Sequence, residues 1–265
     1  MPVVHLIDSH CHLDFEVFDN DRSEVLQRAK DNNISDIVIP GTEKIFWDRI
    51  KQLCENQPHL HACYGLHPYW VNNKNTQDIH ALDTYIESNC PVALGECGLD
   101  FNRNFSTREN QLRAFEAQLE LAAQLGMPAF LHQRDAHHDF VAILKNAGAQ
   151  LKNVVAHCFT GTAAEVNDYL ELGLSIGVTG WICDERRGTD LQQAVKEIPL
   201  DRIMLETDAP YLLPRDLLGK PVKKSRNEPC FLPHIARSVA KQMKLDEPQL
   251  ISVANKNSRA FFKLN

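Results

Sequence analysis

The chain has 265 residues, 43% of them hydrophobic and 24% charged, a length and balance that exclude a disordered or fibrous protein and suit one eight-stranded α/β barrel. Its formal net charge of −7 argues against a non-specific nucleic-acid binder with a basic surface, while leaving room for an enzyme whose cations are local. The 8 cysteines include no CxxC pair, which leaves a zinc ribbon or a thioredoxin-like motif without support and points to reduced, buried thiols.

In chain order, a first apolar run at 3–10 is followed by a helical pattern at 21–32, then a run at 34–41 and a helix at 44–56. A run at 60–68 precedes a helix at 76–89, and a run at 91–100 precedes the clearest helix, 107–125. In that helix Leu112, Phe115, Leu119 and Ala122 recur at helical spacing, Thr107 is placed to cap the start, and Gly126 and Pro128 end it. Runs at 127–135, 153–160, 174–181 and 202–210 alternate with helices at 138–147, 162–172 and 189–197, and two helices at 230–243 and 247–262 close the chain. The runs are rich in Val, Ile, Leu and Ala and bounded by Gly, Pro, Asn or Asp, as expected of parallel strands covered on both faces. Eight strands alternating with helices predict an α/β fold, a (β/α)8 TIM barrel of the metal-dependent hydrolase type, as a single domain over 1–265. The alternative is an open doubly wound sheet, but no glycine-rich phosphate turn follows the first strand. The segment 211–230, with three prolines and five basic residues, is the longest loop-like stretch and would lie over the mouth of the barrel. The N-terminus has no basic start and no clean apolar core, and no run approaches the roughly 18 apolar residues of a membrane span, so a soluble cytoplasmic protein with no membrane association is expected.

The strongest local signal is DSHCHLD at 8–14. Residues two apart in a strand point to one face, so His10 and His12 project together and can share one divalent ion. Glu96, His132, His157 and Asp208 arrive at the ends of other apolar runs. A single strand-end histidine is more often hydrogen-bonded than metal-bound; the weight lies in five strand ends that a barrel gathers at one mouth. Six nitrogen and oxygen ligands exceed what one catalytic ion takes from protein, so two divalent ions are expected, with Glu96 as the bridging carboxylate. Cys11, Cys97 and Cys158 adjoin ligands but alternate to the opposite face, into packing.

With these residues in view, the sequence resembles the TatD family of metal-dependent deoxyribonucleases, in the amidohydrolase-like superfamily. The blocks LIDSHCHLD, MPAFLHQRDAH and IPLDRIMLETDAPYLLP are similar to the family's signatures, with GLHP, GECGLDFNRNFST, HCFTG, GWICDERRG and SRNEP between and after them. GECGLDFNRNFST and TGWICDERRG are similar to the bacterial TatD branch, whereas the HxH at the start resembles the wider family. Gln133 and Ala129 stand where smaller polar and larger aliphatic residues are common. The resemblance implies His10 and His12 on one metal, Glu96 bridging, His132 and His157 on the second, and Asp208 beside the reactive water. It also implies Mg²⁺- or Mn²⁺-supported hydrolysis of DNA as a 3′–5′ exonuclease on single strands, with RNA as a further substrate. The residues alone reach only a two-metal hydrolase. Four imidazoles among the six donors would also suit Zn²⁺, so Mg²⁺ stands first and Mn²⁺ or Zn²⁺ remain.

A phosphodiester is anionic, so cations are expected at the mouth: Arg134 beside His132 as a catalytic cation, and Arg186, Arg187, Arg215, Lys220, Lys223, Lys224 and Arg226 on mouth loops to bind substrate. His67, ending the third run, is a further substrate candidate. Phe101, Phe105, Phe159, Trp181 and Tyr211 are candidates for stacking on bases, against ordinary packing. Asp208 is the expected proton acceptor. Two other readings stay open: the same site hydrolysing an ester, amide or aminoacyl bond, and a metal-binding protein without turnover. The fourth run holds Glu96 and no lysine, which disfavours a carbamylated-lysine amidohydrolase. No obligate protein partner is readable.

Overall fold

The structure is a computed structural model and describes residues 5–72, 76–217 and 226–264. Eight strands alternate with helices as expected: β1 (Leu6–Asp8), β2 (Ile34–Gly41), β3 (Leu60–Tyr64), β4 (Ala93–Asp100), β5 (Ala129–Arg134), β6 (Val154–Ala156), β7 (Ser175–Val178) and β8 (Ile203–Leu205). They form one sheet in chain order, a nearly closed parallel barrel. The seam between last and first strands is made by the Ser9 N–H donating to the Leu205 carbonyl at 3.1 Å and by a parallel bridge between Cys11 and Ala209. Each strand is apolar because both faces are covered; β4 is buried at all 8 positions.

The helices are α1 (Arg22–Asp31), α2 (Lys44–Glu55), α3 (Thr76–Asn89), α4 (Arg108–Leu125), α5 (His137–Ala147), α6 (Ala163–Glu171), α7 (Thr189–Ala194), α8 (Leu232–Met243) and α9 (Glu247–Phe262). No described helix is long and apolar enough to cross a membrane. The chain divides into two compact units, residues 1–39, 158–170 and 175–265 in the first, 40–157 and 171–174 in the second. The first has Ile7, Val25, Met204, Ile235 and Phe262 in its core. The second packs Trp47 against Tyr64 and Tyr85, and stacks Phe115 on Phe140 with centroids 5.3 Å apart.

One difference from the sequence reading bears on the site. β1, β6 and β8 have only 3 residues each, shorter than their apolar runs. His10, His12, His157 and Asp208 therefore stand just beyond strand ends rather than within a strand. The cause is visible in the first unit. The Asp8 carboxylate accepts the Thr207 N–H at 2.8 Å, the Thr207 hydroxyl at 2.6 Å and the His10 N–H at 3.4 Å, so a side chain replaces the ladder.

A second difference lies in α4. Thr107 caps it, accepting from the Asn110 N–H at 3.3 Å, and Gly126 ends it in the left-handed region at φ 61°. Phe115, Leu119 and Ala122 are buried as expected, Leu112 only half so, and Gln111 and Gln118 are buried among them. Both glutamines serve the ends of neighbouring strands. Gln118 accepts the Leu66 N–H at 2.8 Å and donates to the Leu66 carbonyl at 3.0 Å. Gln111 does the same for Asp100, at 2.8 and 3.0 Å. Each amide thereby completes a backbone that has run out of strand partners.

Gln118→Leu, nearly isosteric, should therefore destabilise the fold by about 1–3 kcal/mol for each Leu66 group left unpaired. Chemical denaturation measures this; a variant as stable as the parent would show that the amide is not what satisfies that backbone.

Candidate functional site

In the first unit, the segments following β1 and β8 bring three donors together. His10 Nε2 lies 3.1 Å from His12 Nε2, and each is 3.4 Å from Asp208 Oδ1. All three side chains are largely enclosed, at 0%, 6% and 12% exposure. The His12 ring is stacked on Phe15, which fixes its plane. Asp208 takes a left-handed conformation, φ 55°, which a short polar side chain tolerates at low cost. Its amide donates to the His10 carbonyl at 2.9 Å and the His12 amide to the Ala209 carbonyl at 2.8 Å, so the two ligand segments are stitched to each other. Asp8 holds them from beneath. Burial pushes its carboxyl up to about 8, against the downward pull of the Thr207 hydrogen bonds.

In the second unit the centre is Glu96. Its Oε1 is 2.8 Å from His157 Nε2, 3.1 Å from His132 Nδ1 and 3.3 Å from His67 Nε2, and the nitrogens of His132 and His157 are 3.2 Å apart. Glu96 reaches this position through an irregularity in β4, whose pairing with β5 shifts between Leu94 and Cys97. Gly95 and Gly98 flank it at φ 143° and 144°. A Cβ at Gly98 would fall on the His132 carbonyl, so only glycine lets the two strands approach this closely. His67 heads the turn Pro68–Trp70; its Nδ1 accepts the Tyr69 N–H at 3.2 Å, which turns Nε2 toward Glu96.

Behind His132 stands Asp100, fully buried, 3.3 Å from His132 Nε2. Burial drives this carboxyl up, but hydrogen bonds from His132 and the Arg103 amide, the His132 charge and the Tyr69 hydroxyl outweigh it and hold it at about 2. Burial lowers His132 in turn, and its hydrogen bonds to Asp100 and Glu96 outweigh that and raise it. An anionic partner on one imidazole nitrogen leaves the other as the donor to a cation, the carboxylate–histidine–metal arrangement.

Both clusters fit a divalent cation on the chemistry and spacing of their donors. Ligands about 2.1 Å from an ion stand about 3.0–3.4 Å from one another in octahedral or tetrahedral geometry. His10, His12 and Asp208 show 3.1 and 3.4 Å; Glu96, His132 and His157 show 2.8 to 3.2 Å. The structure thus brings the six expected ligands into two groups, three in each unit, and adds His67 to the second. Asp100, the last residue of β4, was not among the expected ligands and escapes the sequence reading because it orients another ligand rather than coordinating. Glu206, one residue before Thr207, also escapes it: it is fully buried, accepts the Ser9 hydroxyl at 3.3 Å and the Cys158 amide, and occupies the space a side chain at Gly177 would need. Cys11 and Cys97 point into packing as expected and are buried; Cys158 is half-buried, 3.7 Å from the Thr179 hydroxyl.

The expected cations are placed less uniformly. Arg134, half-buried at the end of β5, pairs with no carboxylate among the described residues. Arg187 binds Asp184 at 2.8 Å and covers the Trp181 ring; Arg186 lies 3.6 Å from Asp184, and Arg215 lies 3.3 Å from Glu185. Burial raises Asp184, but the amides of Arg186 and Arg187 and the Arg187 side chain hold its carboxyl at about 2. Arg226 grips Asp21 at 2.7 Å and Glu228 at 2.6 Å and lies over Phe18, so its charge is already answered. Lys220, Lys223 and Lys224 lie outside the described residues. Of the aromatic candidates, Phe105 and Tyr211 are exposed, Phe101 carries the Arg108 guanidinium on its face, and Phe159 is core. Trp70, exposed beside the His67 turn, joins them unanticipated.

The family model described as TatD related DNase matches residues 7–263. A protein of Pectobacterium parmentieri named 3′-5′ ssDNA/RNA exonuclease TatD is 45% identical over 260 residues, covering 98% of this chain and 100% of its own. A protein of the same name from Erwinia billingiae is 46% identical, covering 98% of this chain and 99% of its own. Among solved structures, a TatD homologue from Escherichia coli K12 superposes with a TM-score of 0.89 at 29% identity, covering 99% of each chain. A TatD-family hydrolase from Entamoeba histolytica gives 0.88 at 26%, covering 100% of each.

Replacing Asp100 by Asn removes the anion behind His132 and keeps its shape. Affinity for Mn²⁺ at the Glu96 cluster should drop about 10–100-fold, measured by calorimetric titration. An affinity equal to the parent's would mean that Asp100 does not orient His132.

Proposed function

The chain belongs to the TatD-related DNase family, and on that premise we propose that it is a divalent-metal-dependent phosphodiesterase that removes nucleotides from the 3′ end of single-stranded DNA, with RNA as a further substrate. The observation that supports this most is the pair of nitrogen–oxygen clusters, each with donors already at coordination spacing. Two divalent ions are assigned, Mg²⁺ first by family resemblance, with Mn²⁺ and Zn²⁺ as the competitors that imidazole donors favour. His10, His12 and Asp208 would hold one, and Glu96, His132 and His157 the other. Bound there, the ions supply Lewis acidity toward phosphoryl oxygens and acidify water.

The chain's own groups do the rest. Asp208, at the rim of its cluster, accepts the proton of the attacking water. Arg134 meets charge growing on the phosphoryl oxygens, since no described carboxylate neutralises it. His67 is better assigned to the Glu96 cluster than to substrate, at 3.3 Å from Oε1. Arg186, Arg187 and Arg215 are kept as substrate residues at a distance, their charges shared with Asp184 and Glu185. Phe105, Tyr211 and Trp70 are exposed faces on which bases can stack. A single barrel domain over residues 1–265 and a cytoplasmic setting belong to the same proposal, the latter because all 8 cysteines are free thiols.

The test is release of mononucleotides from 5′- and 3′-labelled single strands with Mg²⁺, Mn²⁺ or chelator. The expected outcome is chelator-sensitive loss of the 3′ label first. Asp208→Asn should lower kcat at least ~100-fold with the fold intact. Metal binding without turnover on DNA or RNA would remove the nuclease reading, and turnover on esters or amides instead would move the site to another bond.

A further inference from the structure

Three metal-ligating side chains outside both clusters meet in the first unit. Cys183 closes the turn Gly180–Cys183 that follows β7, Asp216 stands in the segment after β8, and His234 lies in the first turn of α8. The Cys183 sulfur, a carboxylate oxygen of Asp216 and an imidazole nitrogen of His234 all lie within 4.8 Å of one another. His234 Nε2 is 2.7 Å from Asp216 Oδ1, and the Cys183 thiol donates to the Ser238 hydroxyl at 3.3 Å. Ser238 follows His234 by one helical turn, so both face the sulfur from one side of α8.

We propose that Cys183, Asp216 and His234 form a binding site for a thiophilic divalent cation of the Zn²⁺ class, independent of whether the chain hydrolyses nucleic acid. The donor set is the argument. The two clusters described above offer imidazole and carboxylate only, whereas this one offers a thiol with one of each, a combination that selects zinc over magnesium. Its burial is graded in the sense such a site needs. Cys183 is buried, His234 is 23% exposed at its side chain and Asp216 52%, so a cation has a way in and water can fill the fourth position.

The donors need only a small adjustment. Tetrahedral zinc places its ligand atoms about 3.3–3.8 Å apart. The nitrogen–oxygen pair at 2.7 Å must open and the sulfur must close in, which rotation of the exposed Asp216 carboxylate and a rotamer change at His234 accomplish. Burial, and after it the charge of Asp216, pushes the free thiol up to about 12, so the sulfur is protonated without the ion. Coordination exchanges that S–H for an S–metal bond and releases one proton to water. The bound cation would tie the turn after β7, the segment after β8 and the start of α8 together.

Cobalt(II) reports this site alone, because a thiolate ligand gives a near-ultraviolet sulfur-to-metal charge-transfer band that imidazole and carboxylate cannot. The intact chain titrated with Co²⁺ should develop this band and lose it to Zn²⁺. Cys183→Ser should abolish it, His12→Ala should keep it, and His234→Gln should weaken Co²⁺ binding by about tenfold or more with an unchanged circular dichroism spectrum. Absence of the band in the parent, or its survival in Cys183→Ser, overturns the proposal. Should Cys183→Ser fail to fold, His234→Gln and Asp216→Asn decide: band affinity equal to the parent's in both would overturn it.

Discussion

Two imidazole nitrogens 3.1 Å apart, each 3.4 Å from one carboxylate oxygen and all of them buried, make an arrangement that a protein core does not adopt for its own stability. Burying polar groups costs free energy unless their partners are fully supplied, and lone pairs that converge on one point are not ideal partners for one another. Much of the surrounding structure can be understood as what holds that convergence in place. In the first unit, Asp8 binds Thr207 through both backbone and hydroxyl, and Asn227 donates to the Thr207 carbonyl at 2.9 Å. The segment carrying Asp208 is thereby fixed to the segment carrying His10 and His12 by groups that are not themselves ligands.

The second unit solves the same problem with glycine and glutamine. Gly95 and Gly98 permit a close strand approach that aims Glu96 and His132 at a common point. Gln111 and Gln118 then satisfy the backbone at Asp100 and Leu66, one at the end of β4 and one directly before His67. A helix face thus carries two buried amides whose loss would loosen a ligand or the residue that orients one. Stability and site geometry share these residues, so changes to them should move both together.

Much of this was legible in the chain. The βα alternation follows from short apolar runs separated by amphipathic stretches, and the six expected ligands stand at the ends of those runs. What was not legible has one physical cause: it depends on pairing between groups distant in sequence. Asp100 closes the apolar run 91–100 and shows no role of its own until His132, 32 positions on, stands against it. Leu112 reads as core by periodicity, but the stripe of α4 is rotated so that Gln111 and Gln118 face inward. Arg226 reads as one more basic residue of a mouth loop, yet Asp21 and Glu228 claim it. Sequence gives the charge of a side chain and not its counter-charge.

That point reshapes how an anionic polymer would be attracted. The net charge is −7, and Arg186, Arg187 and Arg215 already face Asp184 or Glu185. A pair of opposite charges presents a weak field beyond a Debye length, about 8–10 Å at moderate ionic strength, so these arginines attract phosphates poorly from afar and act only on contact. The long-range pull is left to bound cations and to Arg134. A divalent ion at either cluster would add positive charge beside Asp208 or Glu96, where it would draw phosphate. Metal loading and substrate affinity are then coupled by electrostatics before any bond is broken, and a chain of this net charge can act on nucleic acid without being a general nucleic-acid binder.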